Sequence, residues 1–340
     1  MRLETNHHQV ERVARRLVEL NWKSAGFPAL EAAPPDHQPD QMVDFFFFNS
    51  ALLFDFYGLE TELDGEYVKG SDLFLAFARK KANQEPGFFT AARMAELSLE
   101  EYQAAYAPDG DPAHTLINRA EERVAILRDL GQGLLQDYRG AEGEPYLSPR
   151  LLAACNGRLR TPEGTGLLDR LANFEGYNDP HFKKAFVFLK AVDKLDVFRP
   201  QDRDQLFIPV DYHLIRMALR TGLVAVTDPT LAEQLRNQTD ASQSDDLEIR
   251  QEVKLAYKAL ENISGIDVFV LDEMFWTIGR SCCHYSRPTR CTTCDLTDCS
   301  VMKSFDYRCP GLCPLATVCL GAGDEAYRAL FEPHLTTTFY

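Results

Sequence analysis

Positive charge is scarce in this sequence: 36 Lys and Arg stand against 51 Asp and Glu, a formal net charge of −15 over 340 residues. A non-specific grip on a nucleic-acid backbone comes from clustered Lys and Arg, so this balance excludes a broad basic surface and leaves room for one small cationic groove. Long apolar runs are missing as well. The longest, over 43–59, is interrupted by Asp44, Asn49 and Asp55 and is too short and polar to cross a bilayer. No apolar leader follows Met1, where a charged, His-bearing helical pattern starts instead, so the expectation is a cytoplasmic chain with reduced thiols. No internal repeat stands out. A chain of this length buries a core without help from a metal.

Cysteine is abundant, in one place. Eight of the nine, Cys282, Cys283, Cys291, Cys294, Cys299, Cys309, Cys313 and Cys319, fall within 282–319, and only Cys155 stands apart. Closely spaced thiolates converge on one centre, because a short loop brings their sulfurs within bonding distance of a shared ion or cluster. In a reducing compartment Cys-x-x-Cys runs serve as metal or cluster ligands more often than as bridges. Two sets are legible. Cys283, Cys291, Cys294 and Cys299 are separated by seven, two and four residues, and Cys309, Cys313 and Cys319 by three and five. Four thiolates suit one [4Fe–4S] cluster and tetrahedral zinc alike, so both stay open on composition. His284, beside Cys283, is a further candidate ligand, and Cys155 reads as a small buried hydrophobe.

Val10, Val13, Leu17, Val18 and Leu20 recur near helical spacing and predict an amphipathic helix over 8–23. Pro28, Pro34, Pro35 and Pro39 then form a linker, so 1–40 reads as a helix and linker. The apolar block around Phe45 to Phe48 cannot be assigned to helix or strand by periodicity. From Leu63 an Asp-Gly pair predicts a turn between short β pieces. Helices are expected over 71–81, 90–97, 98–106 and 118–138, the third opening on a capping box from Ser98 to Glu101. The stretch 145–168 reads as a surface crossing, and helical patterns resume at 180–197, 210–221, 229–237, 246–262 and 266–280. The expected fold class is mainly α, with a small β element near the N-terminal third and a Cys-rich C-terminal metal loop. The helical domain spans 41–280, compatible with lobes of 41–140 plus 245–280 and of 165–240. The Cys-rich loop covers 281–322 and a tail 323–340.

Two segments together carry a resemblance. Ile208-Pro-Val-Asp-Tyr-His-Leu-Ile-Arg216 resembles the Val-Asp-Thr-His-x-x-Arg segment of helix-hairpin-helix DNA glycosylases, and Trp276-Thr-Ile-Gly-Arg280 runs into the cysteines as the last helix of endonuclease-III-like members runs into their iron–sulfur loop. The Cys309-x3-Cys313-Pro-Leu-x3-Cys319 ending is similar to that loop's ending, and the resemblance favours iron–sulfur over zinc. Further segments resemble a narrower relative, the queuosine salvage family of queuosine 5′-phosphate N-glycosylases. They are the aromatic run Val43 to Tyr57, Ala120-Glu-Glu-Arg123 with Gly131, Phe174-Glu-Gly176 with Phe182-Lys-Lys-Ala185, Glu248-Ile-Arg250, and Leu271-Asp272 with Phe275-Trp276. Their shared order extends over most of 40–280. The chain departs from that family at Leu53, where an Asn is usual, and at His213-Leu214-Ile215, where Arg-x-Pro is usual.

The resemblance implies that Asp211 faces the scissile glycosidic bond. Cleaving an N-glycosidic bond builds positive charge on the sugar, which a carboxylate beneath the anomeric carbon stabilises or attacks. The residue type alone reads equally as a helix N-cap. Phe45, Phe48 and Tyr57 could sandwich a flat base, or the Phe run could fill a core; one or two rings facing the substrate are expected. Asn49, Tyr212, Asp272 and Trp276 complete the substrate-binding candidates, and Arg250, Lys184 and His213 are candidates for a 5′-phosphate. Glu248 and Arg250 could pair at the site or on a helix surface. Adjacent Lys183 and Lys184 on a helix are ordinarily solvated, and no Gly-x-Gly-x-Lys turn precedes them, so hydrolysis without lyase activity is expected. The leading expectation is an N-glycosylase that releases a 7-deazaguanine-type base from a nucleoside or its 5′-phosphate. A DNA glycosylase with an iron–sulfur loop is the alternative, disfavoured by charge. A non-catalytic metal-bearing nucleotide-binding module is the third reading, supported by the two departures.

Overall fold

Several helices of this chain open on a side-chain acceptor for their free amides, among them those that begin after Asn6, Ser98, Asp211, Asp228, Ser242 and Asp267. The structure, a computed structural model, describes residues 2–23, 38–63, 65–140, 144–286, 288–297, 299–305 and 307–340. Pro28, Pro34 and Pro35 of the expected linker and Asp64 of the expected turn lie outside the described residues. Strand β1 (Leu3–Thr5) leads into α1 (His7–Leu20), capped by the Asn6 side chain. Helix α2 (Pro39–Ser50) begins with Pro39 in its first turn, where a missing N–H costs nothing, and it takes the whole Phe run. An antiparallel hairpin, β2 (Glu60–Leu63) and β3 (Glu66–Lys69), precedes α3 (Gly70–Gln84) and α4 (Ala91–Ala95). Helix α5 (Leu99–Ala105) carries the reciprocal Ser98–Glu101 capping box read from the sequence. Next come α6 (Ala120–Asp137), α7 (Ser148–Ala154), α8 (Leu167–Leu171) and α9 (Lys183–Lys194). Helix α10 (Tyr212–Thr221) starts at Asp211 and stops at Gly222 in the left-handed region. The chain continues through β4 (Val224–Val226), α11 (Pro229–Asn237), α12 (Gln243–Ser264), α13 (Val268–Ser281), α14 (Ser300–Phe305), α15 (Leu320–Gly323) and α16 (Glu325–Arg328).

The described residues are mainly helical, and none of their helices is long and apolar enough to cross a membrane. The crossing expected over 145–168 contains α7 and the first residues of α8, with Leu151, Leu152 and Leu167 buried. Seven-residue helices fall below the length at which periodicity is readable.

Contacts gather the chain into two units: a flanking one, 1–27 with 206–336, and an inserted one, 28–205 with 337–340. In the flanking unit β1 pairs antiparallel with β4, Leu3 opposite Val226, and α1 packs along α12. Helix α10 packs on α13 and α12. In the inserted unit α4 lies against α6 at Gly131, where a Cβ would come 2.5 Å from Ala95 N. Its core is aromatic. Phe47 is ringed by Phe48, Phe174, Tyr177 and Phe188 at centroid distances of 5.3–5.6 Å, suited to edge-to-face contact.

Candidate functional site

In the flanking unit the segments that suggested a glycosylase come together around the start of α10. Asp211 is half-buried in extended backbone and its Oδ1 accepts from Leu214 N at 2.9 Å, an N-cap that meets one of the helix's unpaired amides. The backbone before it is held from α12: Arg250 donates to Val210 O at 2.8 Å, and Tyr257 donates to Leu214 O at 3.1 Å. Desolvation, then the charge of Asp211, pushes the Tyr212 phenol up. The Tyr212 and His213 rings stand 4.2 Å apart, and His213 meets the Trp276 ring edge-on at 6.2 Å. Arg280 lies over the Trp276 ring at 4.2 Å. Asp272 is buried on α13, one turn before Trp276. Gly279 lets α13 approach, since a Cβ there would stand 3.1 Å from His213 Cβ.

Arg250 does not pair with Glu248. It pairs with Asp246 through Nε, at 2.9 Å to Oδ2, both side chains nearly buried. Residues two apart on a helix point to different sides, whereas four apart they share a face. Glu248 turns to Arg2, 3.3 Å away.

Behind His213 lies a buried charge network. Arg216 is fully buried; its Nε donates to Cys283 O at 2.8 Å, its Nη1 pairs with Glu332, and its Nη2 donates to His213 Nδ1 at 2.8 Å. Arg220, also buried, donates to Leu330 O and, through Nη1, to Cys283 Sγ at 3.3 Å. The Arg–Glu–His arrangement was not anticipated. Arg216 was visible as the last residue of the Val-Asp-x-His-x-x-Arg pattern; Glu332 carried no sequence signal.

Several of the cysteines after α13 lie near one another. Cys282 and Cys313 are in hydrogen-bond contact, which holds the Cys282 thiol down and the Cys313 thiol up, and Cys282 acts with Cys309 on Cys294. Burial, then the neighbouring charges of Cys283 and Cys291, pushes Cys319 up to about 12. Cys313 N donates to Cys291 O at 3.1 Å, and all nine cysteines are free. Cys282, which spacing admits only if two four-cysteine sites form, thus lies beside Cys313. Among the described residues no three His, Cys, Asp or Glu side chains are placed to hold a metal ion together. His284 Nδ1 accepts from Ser286 N at 3.1 Å. Cys155 is buried at the end of α7 and donates to Leu151 O at 3.0 Å; burial pushes it up to about 11.

The inserted unit brings its own singled-out segments to one stretch, Ala51 to Phe54. Arg123, fully buried, donates to Leu52 O and Phe54 O, both at 2.6 Å. Gly176 closes on the same place: a Cβ there would stand 2.8 Å from Ala51 Cβ and from Ile126 Cγ2. Lys183 donates to Leu53 O, and Lys184 Nζ lies 4.7 Å from the centre of the Phe54 ring. The expectation that these lysines are solvated is overturned: they are 8% and 1% exposed. Asp179 caps α9 by accepting from Lys183 N at 2.8 Å and draws the helix's first turn inward. Burial, then the charge of Lys183, pushes the Lys184 amine well down against the pull of Asp179. Phe45 and Phe48 are buried with the rest of the run, Phe45 edge-on to Phe46 and Phe89. Asn49 is fully buried, donating to Phe45 O at 2.8 Å and accepting from Tyr106 Oη at 3.2 Å. Tyr57 is 41% exposed.

Among known proteins, no family model matches this chain, and no curated protein matches its sequence.

Proposed function

We propose that this chain is an N-glycosylase that hydrolyses the glycosidic bond of a modified nucleoside or its 5′-phosphate and releases a 7-deazaguanine-type base. The observation that carries the reading is Asp211 at the N-cap of α10, with Val210 and Leu214 on either side tethered from α12. A carboxylate whose backbone is held from a second helix is preorganised to meet charge developing on a sugar. In this reading Asp211 stabilises or attacks the anomeric carbon, water completes the hydrolysis, and Tyr212, His213, Asp272 and Trp276 surround the substrate. A net charge of −15 favours a small substrate over a duplex.

A [4Fe–4S] cluster, with zinc as the alternative, belongs to the same proposal. The donor set fits in kind: eight thiols lie in one stretch, with Cys282 against Cys313, and Cys319 near Cys283 and Cys291. Cys283, Cys291, Cys294, Cys299, Cys309, Cys313 and Cys319 are the ligand candidates from spacing, and Cys282 joins them by position. When bound, such a group cross-links the chain beyond α13. A helix-hairpin-helix fold is likewise proposed, with α8, the 174–182 turn and α9 as the hairpin.

One observation favours a second reading. A buried amine held below its ordinary range, Lys184, suits attack on a sugar carbonyl carbon, as in glycosylases that also act as lyases. One experiment separates the readings: anaerobically purified protein is offered queuosine, its 5′-phosphate and a modified duplex, with base release followed by mass spectrometry and with borohydride trapping in parallel. Release from the nucleoside or nucleotide is expected, lost in Asp211→Asn, whose side chain still caps α10. Release by Asp211→Asn as fast as by wild type removes Asp211 from the mechanism. A borohydride adduct lost in Lys184→Met moves the protein to the second reading.

A further inference from the structure

We propose that Arg216 is a positioning residue that holds His213 in its Nε2-protonated tautomer, so that the imidazole acts as a hydrogen-bond donor through Nε2. A guanidinium has five N–H donors and no acceptor. At 2.8 Å from Arg216 Nη2, His213 Nδ1 therefore carries a lone pair. A proton on Nδ1 would set one N–H against another between side chains that are 4% and 0% exposed, where neither recovers the loss from water.

The arginine cannot easily yield its position to the ring. Its Nε is committed to Cys283 O at 2.8 Å, its Nη1 to the Glu332 carboxylate, and its Nη2 also reaches Gly279 O at 3.3 Å. Those acceptors come from the end of α13, the start of the cysteine stretch and a residue near the chain's end. The ring is confined too. Tyr212 lies at 4.2 Å on one side, the Trp276 edge at 6.2 Å, and Gly279 brings α13 to its Nδ1 side. His213 follows Asp211 by two residues, in the first turn of the helix that Asp211 caps. A donor there suits an oxygen of the sugar or of a phosphate; a proton acceptor at Nε2 would not. That consequence rests on the N-glycosylase reading, whereas the tautomer does not.

The test is a long-range ¹H–¹⁵N correlation spectrum of the full chain, with the ring signals of His213 identified by their loss in His213→Gln. Wild type is expected to show an unprotonated, pyridine-type Nδ1 and a protonated, pyrrole-type Nε2. A protonated Nδ1 overturns the proposal. Arg216→Met is expected to lose the single pattern and show both tautomers, and a folded variant that keeps the wild-type pattern overturns the role of Arg216. Should that variant not fold, Arg216→Met/Glu332→Leu, which removes both buried charges, takes its place with the same expected loss. Base release is measured on the same samples: a fixed tautomer with no release in wild type counts against the N-glycosylase reading alone.

Discussion

The two units bury charge in different ways. In the flanking unit buried arginines have a carboxylate as well as carbonyls: Arg216 with Glu332 and Cys283 O, and Arg250 with Asp246 and Val210 O. In the inserted unit the partners are backbone: Arg123 and Lys183 meet the carbonyls of Leu52, Leu53 and Phe54, and Asp44 accepts from Leu147 N and Ser148 N. A carboxylate and its arginine can be removed together, so that neither charge is left buried alone, although Cys283 O stays behind. A bond to the backbone cannot be removed whole, because the carbonyl or amide stays behind. The first arrangement joins segments through replaceable groups; the second makes one charged side chain the guardian of a turn.

Removing one half of a side-chain pair should have the largest effect. Arg216→Met takes the guanidinium from a buried carboxylate and is expected to cost about 3–5 kcal/mol of unfolding free energy. Arg216→Met/Glu332→Leu should recover most of that loss in urea unfolding; an equal loss in both would break the comparison. Asp44 comes next. Burial raises it from 3.8 to about 7, against the pull of the Ser148 and Leu147 contacts, so the folded state prefers the protonated acid. The stability this provides is complete below about pH 4 and lost as pH climbs towards 7, on the order of 4 kcal/mol. Asp44→Asn keeps an oxygen for Ser148 N without titrating, so wild type should lose ground to the variant across that window. Parallel pH profiles of the two urea midpoints would show that Asp44 does not carry the effect. Arg123→Met is expected to cost about 1–3 kcal/mol, from the Phe54 carbonyl left without that donor, while Leu52 O still accepts from Phe54 N. Here no second substitution should restore the loss, and rescue by any side-chain partner would blur the distinction.

Legibility in the sequence followed distance along the chain. The capping box at Ser98, the N-cap at Asp211 and most helices of α3 to α13 depend on neighbours within a turn, and the pattern shows them. The Phe run was ambiguous because it is apolar on every side; Pro39 at its start and Asn49 bonded back to Phe45 O make it a helix. The Arg250–Asp246 pair is legible from its i, i+4 spacing, which the Glu248-Ile249-Arg250 triplet does not contain. Lys183 and Lys184 were misread because composition cannot see that Asp179 and the Leu53 carbonyl wait on the inner side. The Arg216–Glu332 pair and the β1–β4 ribbon link residues too far apart for any local pattern. Within the candidate site, Asp211, His213, Arg216 and Trp276 are readable as motif residues, but the Glu332 carboxylate that holds the guanidinium is not.

The β1–β4 ribbon sets a timetable for synthesis. Leu3 leaves the ribosome before Val226 and meets it only after about 220 more residues have been added. At 5–20 residues per second that wait is on the order of 10–40 s. During it the nascent chain makes nearly all of the inserted unit, while α1 waits for α12, the helix against which it packs. Slowing translation between β1 and β4 should therefore harm this protein more than one whose paired strands are neighbours in sequence.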